Sequence, residues 1–199
     1  MPRPKKTERE QILSETRHSL LRAAIEEFAR FGYGGAKVDR ISQTAGFAKG
    51  TIYNYFPSKR DLMLAVIEHI STLHMEYVAE QVRQEEDPTC RLERFFEAGF
   101  GFVSDHLPQS QVMVNNLYGP DPQFREAMYR AYLPMFALVG SEIIAEGVQQ
   151  GIFRQVDPQS TAALLMTIYL GTASQVSDEG KPWQRANQVA DFVLNGLRR

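Results

Sequence analysis

Residues 38–56 read Val38-Asp39-Arg40-Ile41-Ser42-Gln43-Thr44-Ala45-Gly46-Phe47-Ala48-Lys49-Gly50-Thr51-Ile52-Tyr53-Asn54-Tyr55-Phe56. The order is that of two short helices joined by a turn. The first runs from about Asp39 to Ala45 and turns Ile41 and Ala45 inward at i and i+4. Gly46 can leave that helix with positive φ at little steric cost. The second starts near Lys49 and carries Ile52 and Phe56 on one face. Its other face shows Lys49, Thr51, Tyr53, Asn54 and Tyr55, which are rich in hydrogen-bond donors and include a single formal charge, a cation. A short helix with such a face, presented after a tight turn, has the form of a major-groove reader.

Ala48-Lys49-Gly50-Thr51-Ile52-Tyr53-Asn54-Tyr55-Phe56-Pro57-Ser58-Lys59-Arg60-Asp61-Leu62 resembles the signature of the TetR family of bacterial transcriptional repressors. The upstream run Leu21-Arg22-Ala23-Ala24-Ile25-Glu26-Glu27-Phe28-Ala29-Arg30-Phe31-Gly32-Tyr33 resembles that family's first helix. The similarity spans roughly residues 15 to 66 and keeps the whole order at the expected spacings: amphipathic helix, Phe-Gly-Tyr turn, two short helices, Tyr-x-Tyr-Phe, Lys-x-x-Leu. Beyond about residue 80 only the family's all-helical character is shared.

Several expectations follow from the resemblance. The fold is all-α, with about nine helices: an N-terminal three-helix helix-turn-helix DNA-binding domain and a larger helical domain for ligand binding and dimerisation. Gly50 lets the backbone approach DNA, and Lys49 and Thr51 at the helix start meet phosphate. Tyr53 and Asn54 reach base edges, and Tyr55 and Lys59 reach phosphates. Lys37 stands where relatives often carry a hydroxyl residue that caps the next helix and touches phosphate. That leaves a capping role open and a phosphate role intact.

Charge supports a polyanionic partner. The net charge of −2 conceals a balance of +5 over residues 1–62, with 12 Lys/Arg and 7 Asp/Glu, against −7 over the remainder. The positive share falls on the segment with the helix-turn-helix. Cys90 is the only cysteine and reads as a partly buried thiol, without an intrachain disulfide or thiolate metal cage. The N-terminus, Pro2-Arg3-Pro4-Lys5-Lys6, leads into a polar helix with no apolar signal region, so a cytoplasmic protein is expected. The charge-free run from Pro158 to Ser177 has the length of a membrane span but is too polar for one.

Periodicity and breakers give the organisation. Residues 1–9 form a basic arm, 10–57 the DNA-binding domain, and 58–199 the second domain with its first helix as linker. A helix from about Glu10 to Phe31 buries Leu13, Leu20, Leu21, Ala24, Ile25 and Phe28. Ser58, with Asp61 three residues on, caps a helix running to about Glu85. Asp87-Pro88, Asp121-Pro122 and Asp157-Pro158 open later helices, and Pro134 should kink the helix it lies in. A last helix covers about Trp183 to Leu197.

Catalytic and metal chemistry find no support. His18, His69, His74 and His106 are scattered, read as surface or packing residues, and form no metal-ligand spacing. Neither Gly32-Tyr33-Gly34 nor Gly99-Phe100-Gly101 follows a strand, so nucleotide binding is discarded. No enzyme, metal or cofactor is expected.

The second domain is rich in soft and aromatic residues. Phe96, Phe100 and Val103 precede Met113, Asn116 and Leu117, then Met128, Tyr129 and Tyr132, with Tyr169 further on. Such linings suit a pocket for an apolar small molecule, with Asn116 and Tyr129 among its polar groups and Gly99, Gly101 and Gly119 leaving space. Plain core is the competing reading at each position, and the cavity itself is implied by the resemblance. The helix near residues 158–177 is apolar almost all round, which suggests a partner chain. A dimer seam then falls on Leu164, Ile168 and Gly171, with Val189, Phe192, Val193 and Gly196 from the last helix. Four helices from two copies make the usual dimer of the resembled family.

Together these features describe a DNA-binding regulator, expected to be a repressor, that binds a palindromic operator as a homodimer and is released by a small apolar or aromatic effector. A small-molecule-binding or carrier protein with a vestigial helix-turn-helix is the rival. The +5 balance and the intact Lys49, Tyr55 and Lys59 argue against it.

Overall fold

A computed structural model describes residues 6–179 and 183–198. Residues 1–5 of the expected basic arm, 180–182 and 199 lie outside the described residues. Among the described residues there are nine α-helices, and the β pairing is confined to one antiparallel bridge between Phe153 and Arg198. The chain divides into two compact units, Met1–His69 and Ile70–Arg199.

The first unit holds α1 (Lys6–Gly35), α2 (Val38–Thr44), a 3-10 turn (Thr51–Asn54) and the start of α3 (Lys59–Val82). Helix α1 begins at Lys6, so the last part of the expected arm is already helical. Its inner stripe is Leu20, Leu21, Ala24, Ile25 and Phe28, while Leu13 is exposed. At Gly32 the backbone turns to φ 63, and the helical path is broken before Tyr33. Lys37 precedes α2 without a side-chain cap. Instead its own N–H donates to Glu27 Oε1 at 2.8 Å, and Arg40 Nε meets the same oxygen at 3.1 Å. Glu27 is buried, so both partners are needed to offset its lost hydration. Arg40 also lies 4.3 Å above the Phe31 ring.

Ser58 and Asp61 cap α3 reciprocally: the Asp61 N–H donates to Ser58 Oγ at 3.2 Å and the Ser58 hydroxyl to Asp61 Oδ2 at 2.7 Å. Leu62, Met63, Val66 and Ile67 are all buried within this stretch. The unit therefore closes after His69, not at Pro57 where the sequence breakers place the division.

The second unit contains the rest of α3, then α4 (Pro88–Asp105), α5 (Leu107–Leu117), α6 (Pro122–Ala137), α7 (Ala145–Gln149), α8 (Pro158–Glu179) and α9 (Trp183–Leu197). Three of these start with Asp-Pro. Asp87 accepts from the N–H groups of Thr89 at 2.8 Å and Cys90 at 3.1 Å. Asp121 accepts from Gln123 at 2.9 Å, and Asp157 from Ser160 at 2.9 Å. Proline has no N–H to leave unpaired at the first helical position, so the dipeptide suits a helix start. Cys90 is exposed on the first turn of α4, not half-buried.

Helix α6 runs through Pro134 and passes into a π-helical turn (Leu138–Ile144) before α7. Gly140 in that turn lies close to α8: a Cβ there would sit 3.4 Å from Ala162 Cβ. A Cβ on Gly147 would come within 2.2 Å of the Phe153 ring, so only glycine fits. Gly151, at φ 74, ends the segment. Arg154 then pins α9, donating from its N–H to Leu197 O at 2.9 Å and from Nε to Gly196 O at 2.8 Å. Pro122–Gln149 is the segment long and apolar enough to cross a bilayer among the described residues. Its Phe124, Met128, Tyr132 and Met135 are buried in the second unit, as in a core helix.

Candidate functional site

Ile52 and Phe56 are buried, at 0% and 4% exposure, and Gly46 takes φ 81. The turn and the inward face therefore form as the spacing indicates. The segment between them is shorter than a helix from Lys49: it is a single 3-10 turn over Thr51–Asn54. Thr51, Ile52, Tyr53 and Asn54 are weak helix formers, and Pro57 disfavours helical geometry at Phe56. A four-residue turn offers no helix-terminal phosphate site, so side chains carry the chemistry of this face.

Lys37, Lys49, Gly50, Tyr53 and Asn54 are exposed, and Thr51, Tyr55 and Lys59 are half-buried. Ser42 is buried and donates toward Lys49 O at 3.4 Å, which ties α2 to the approach of the turn. The Lys49 ammonium is paired with Asp39 at 2.6 Å, and that hydrogen bond raises its pKa. Lys59 Nζ donates to Gly34 O at 3.3 Å and lies 4.9 Å over the Tyr33 ring. Arg17 stands over the Phe56 ring at 5.5 Å. Both lysines are thus held in place by neighbours within the unit. Neither restraint is legible as a motif, because each joins residues distant in sequence or across a turn.

In the second unit, Phe96, Phe100, Val103, Met113, Asn116, Met128, Tyr132 and Tyr169 are all buried, and Leu117 is half-buried. Tyr129 does not join them. It is 59% exposed and faces outward beside Phe136, because it falls between the buried positions Met128 and Tyr132 on α6. Gly99 does not leave space either: a Cβ there would lie 2.6 Å from Tyr169 Cε2, so the glycine accommodates the tyrosine ring. Asn116 uses its amide on its own helix, donating to Val112 O at 2.7 Å.

The polar centre of this interior is His74, which the scattered histidine spacing does not reveal. Its Nδ1 is 2.8 Å from the Tyr132 hydroxyl and its Nε2 is 3.0 Å from that of Tyr169. Tyr169 donates to Gly99 O at 3.0 Å. A hydroxyl has one proton, so Tyr169 must then accept from Nε2–H, which makes Nδ1 the acceptor of the Tyr132 proton. The other tautomer would send the Tyr132 proton to Met113 Sδ, 3.2 Å away and a weak acceptor, and would cost the Tyr169–Gly99 hydrogen bond. The Phe102 ring stacks on the imidazole at 4.4 Å. Burial pushes the His74 pKa down to about 3 and those of Tyr132 and Tyr169 upward, so the three are neutral at physiological pH. A signal was present: His74 lies at i+4 from Ile70 and i−4 from Val78, both buried.

Helices α8 and α9 each divide into two faces. Ala162, Leu165, Met166, Tyr169 and Ala173 of α8 are buried in their own unit. On the opposite side Leu164 is 67% exposed, with Ile168 and Gly171 half-buried. On α9, Phe192 is 75% exposed, in line with half-buried Val189 and exposed Gly196. Val193 belongs to the inner face: it is 6% exposed, one residue round from Phe192, and so unavailable to a partner chain. Among the described residues no group of three His, Cys, Asp or Glu side chains could hold a metal.

The fold and the exposed donor face define a helix-turn-helix protein joined to a helical second unit. Residues 20–66 match the family model for bacterial regulatory proteins of the tetR family. It is 24% identical to the HTH-type transcriptional regulator RutR of Escherichia coli (strain K12), over 96% of this chain and 94% of that one. It is 36% identical over 110 residues to the HTH-type transcriptional activator FasR of Mycolicibacterium smegmatis, covering 55% and 50% of the two chains. Its fold matches that of the transcriptional regulator FadR from Bacillus subtilis in complex with stearoyl-CoA, with a TM-score of 0.83 at 20% identity over 90% and 98% of the chains.

Proposed function

We propose that this chain is a cytoplasmic, homodimeric transcriptional repressor that binds a palindromic operator and leaves it when a small apolar or aromatic effector enters the second unit. The observation that carries the reading is the outward face of Lys49, Tyr53, Asn54, Tyr55 and Lys59, held by buried Ile52 and Phe56. Tyr53 and Asn54 read base edges, and the lysines and Tyr55 take phosphates. One chain supplies one such face, and a dimer places two in successive major grooves roughly 34–36 Å apart. The exposed Leu164 and Phe192 supply the seam. Helix α3 contributes residues to both units, so an event at its second-unit end is transmitted along one continuous helix. The FadR complex with stearoyl-CoA supports an apolar effector, and no catalytic step is assigned.

Selection from a randomised duplex library with the full chain tests the reading. The expected result is an inverted repeat with affinity that falls steeply with salt. A protein that retains no DNA at low salt is the carrier of the rival reading. FasR is an activator by name, so an activating role is the second reading, and a promoter-reporter assay separates the two by sign.

A further inference from the structure

Ser71 sits on α3 three residues before His74, and its hydroxyl is the polar group that the interior leaves unused. It is 2% exposed and lies beside the Tyr132 hydroxyl without reaching hydrogen-bond geometry, so its Oγ has no partner. The other described buried polar side chains of the second unit are satisfied. Ser110 donates to His106 O at 3.0 Å, Asn116 to Val112 O, and His74 is engaged at both nitrogens. An unpaired hydroxyl is costly in an apolar interior. Its named neighbour is Tyr132, whose own hydroxyl lies 2.8 Å from His74 Nδ1 and 3.2 Å from Met113 Sδ.

Charge is missing from this region. The buried polar residues described in the second unit are Ser71, His74, Ser110 and Asn116, and none is a carboxylate, an ammonium or a guanidinium. His74 cannot substitute for a cation, because burial keeps it neutral. An ionised group brought here would lose its hydration and meet no opposite charge.

Building on the effector role proposed above, we propose that the part of the effector that enters the second unit is uncharged and largely aromatic or apolar, and that it carries one carbonyl-type acceptor which takes the Ser71 hydroxyl proton beside Tyr132 and His74. Ser71 then distinguishes a ketone, ester, amide or thioester from a hydrocarbon of the same shape, and the uncharged surroundings reject the matching carboxylate. The reading group stands on α3 itself, so occupancy registers on the helix that continues into the first unit.

Three probes of one ring system test this with the full-length protein at pH 7.5: naphthalene, 2-acetylnaphthalene and 2-naphthoate. Binding is followed by probe fluorescence and checked by calorimetry. The expected order is 2-acetylnaphthalene about 5- to 10-fold tighter than naphthalene, the worth of one neutral hydrogen bond, and at least ~100-fold tighter than 2-naphthoate. Ser71→Ala removes the advantage of the ketone and leaves the naphthalene affinity unchanged, while Ser71→Thr, which keeps a hydroxyl, restores it. The proposal is overturned if 2-naphthoate binds as well as the ketone, if the ketone keeps its advantage in Ser71→Ala, or if none of the three binds. Operator binding by the unliganded protein is measured alongside. Its persistence confines such a failure to the effector, whereas its absence would strike the repressor reading.

Discussion

Lys59 is positioned by the Gly34 carbonyl and the Tyr33 ring before any phosphate arrives, so little side-chain freedom is lost on binding DNA. Lys59→Ala should weaken binding about evenly across sequences and lower the salt slope by about 1, with base preference unchanged. Competition assays at several salt concentrations check this; a changed base preference with an unaltered slope would move Lys59 into direct readout. His74 sets a pH limit on stability. Its folded pKa of about 3 lies below the ordinary histidine value, so between the two the unfolded chain binds more protons and stability falls with falling pH. From pH 6.5 to 5 this one group should remove about 2 kcal/mol. Urea titrations at the two pH values should show that drop in the wild type and lose it in His74→Gln; equal drops would place the protonation elsewhere. At this scale, i and i+4 spacing made Ile41, Ile52 and Phe56 legible. Tyr129 and Val193 were not, since each sits one position round a helix from a residue facing the other way.

Helix starts were the most legible elements, because an Asp-Pro pair acts locally: the carboxylate takes the first free N–H groups and the proline has none to leave. Asp87→Ala should therefore destabilise the protein by about 1 kcal/mol, with Asp87→Asn nearly neutral. Denaturant midpoints decide it, and equal losses in the two variants would mean that charge, not capping, is what Asp87 supplies. The recognition segment was legible as to its faces but not its winding. Its residues Thr51–Asn54 are weak helix formers and Pro57 follows closely, so a single 3-10 turn stands where a helix was expected. The end of the first unit was illegible for a different reason. Proline and serine mark where a helix starts, whereas the division depends on which turns of α3 pack with which partners.

Charge divides the chain into a basic first segment and an acidic remainder, and the fold keeps the donor face in the first. An exposed phenylalanine at 75% and an exposed leucine at 67% on consecutive helices ask for cover by another chain. Phe192→Glu should convert a sedimenting dimer to monomer by placing an unpaired charge in an apolar seam, a cost of several kcal/mol. Operator affinity should collapse while the melting of the first unit is unchanged. A wild-type chain that sediments as a monomer at micromolar concentration would remove the dimer from the mechanism. Sequence alone indicated that α8 was apolar nearly all round. It could not show which half is taken by the chain's own core, because that depends on α4, α6 and the π-helical turn lying alongside.

The π-helical turn between α6 and α7 has a consequence for chain length. A π turn holds one residue more than the α-helical path it replaces, so the surplus can be removed without changing the phase of what lies on either side. Deleting exposed Ser141 should regularise the helix and leave Tyr132 facing the interior and Gly147 under the Phe153 ring. The same deletion at Arg125, inside regular helix, would rotate the preceding residues by about 100° against the rest and expose Phe124. Length variation in this protein is thus tolerated within one seven-residue window of that helix and excluded from the turns before it.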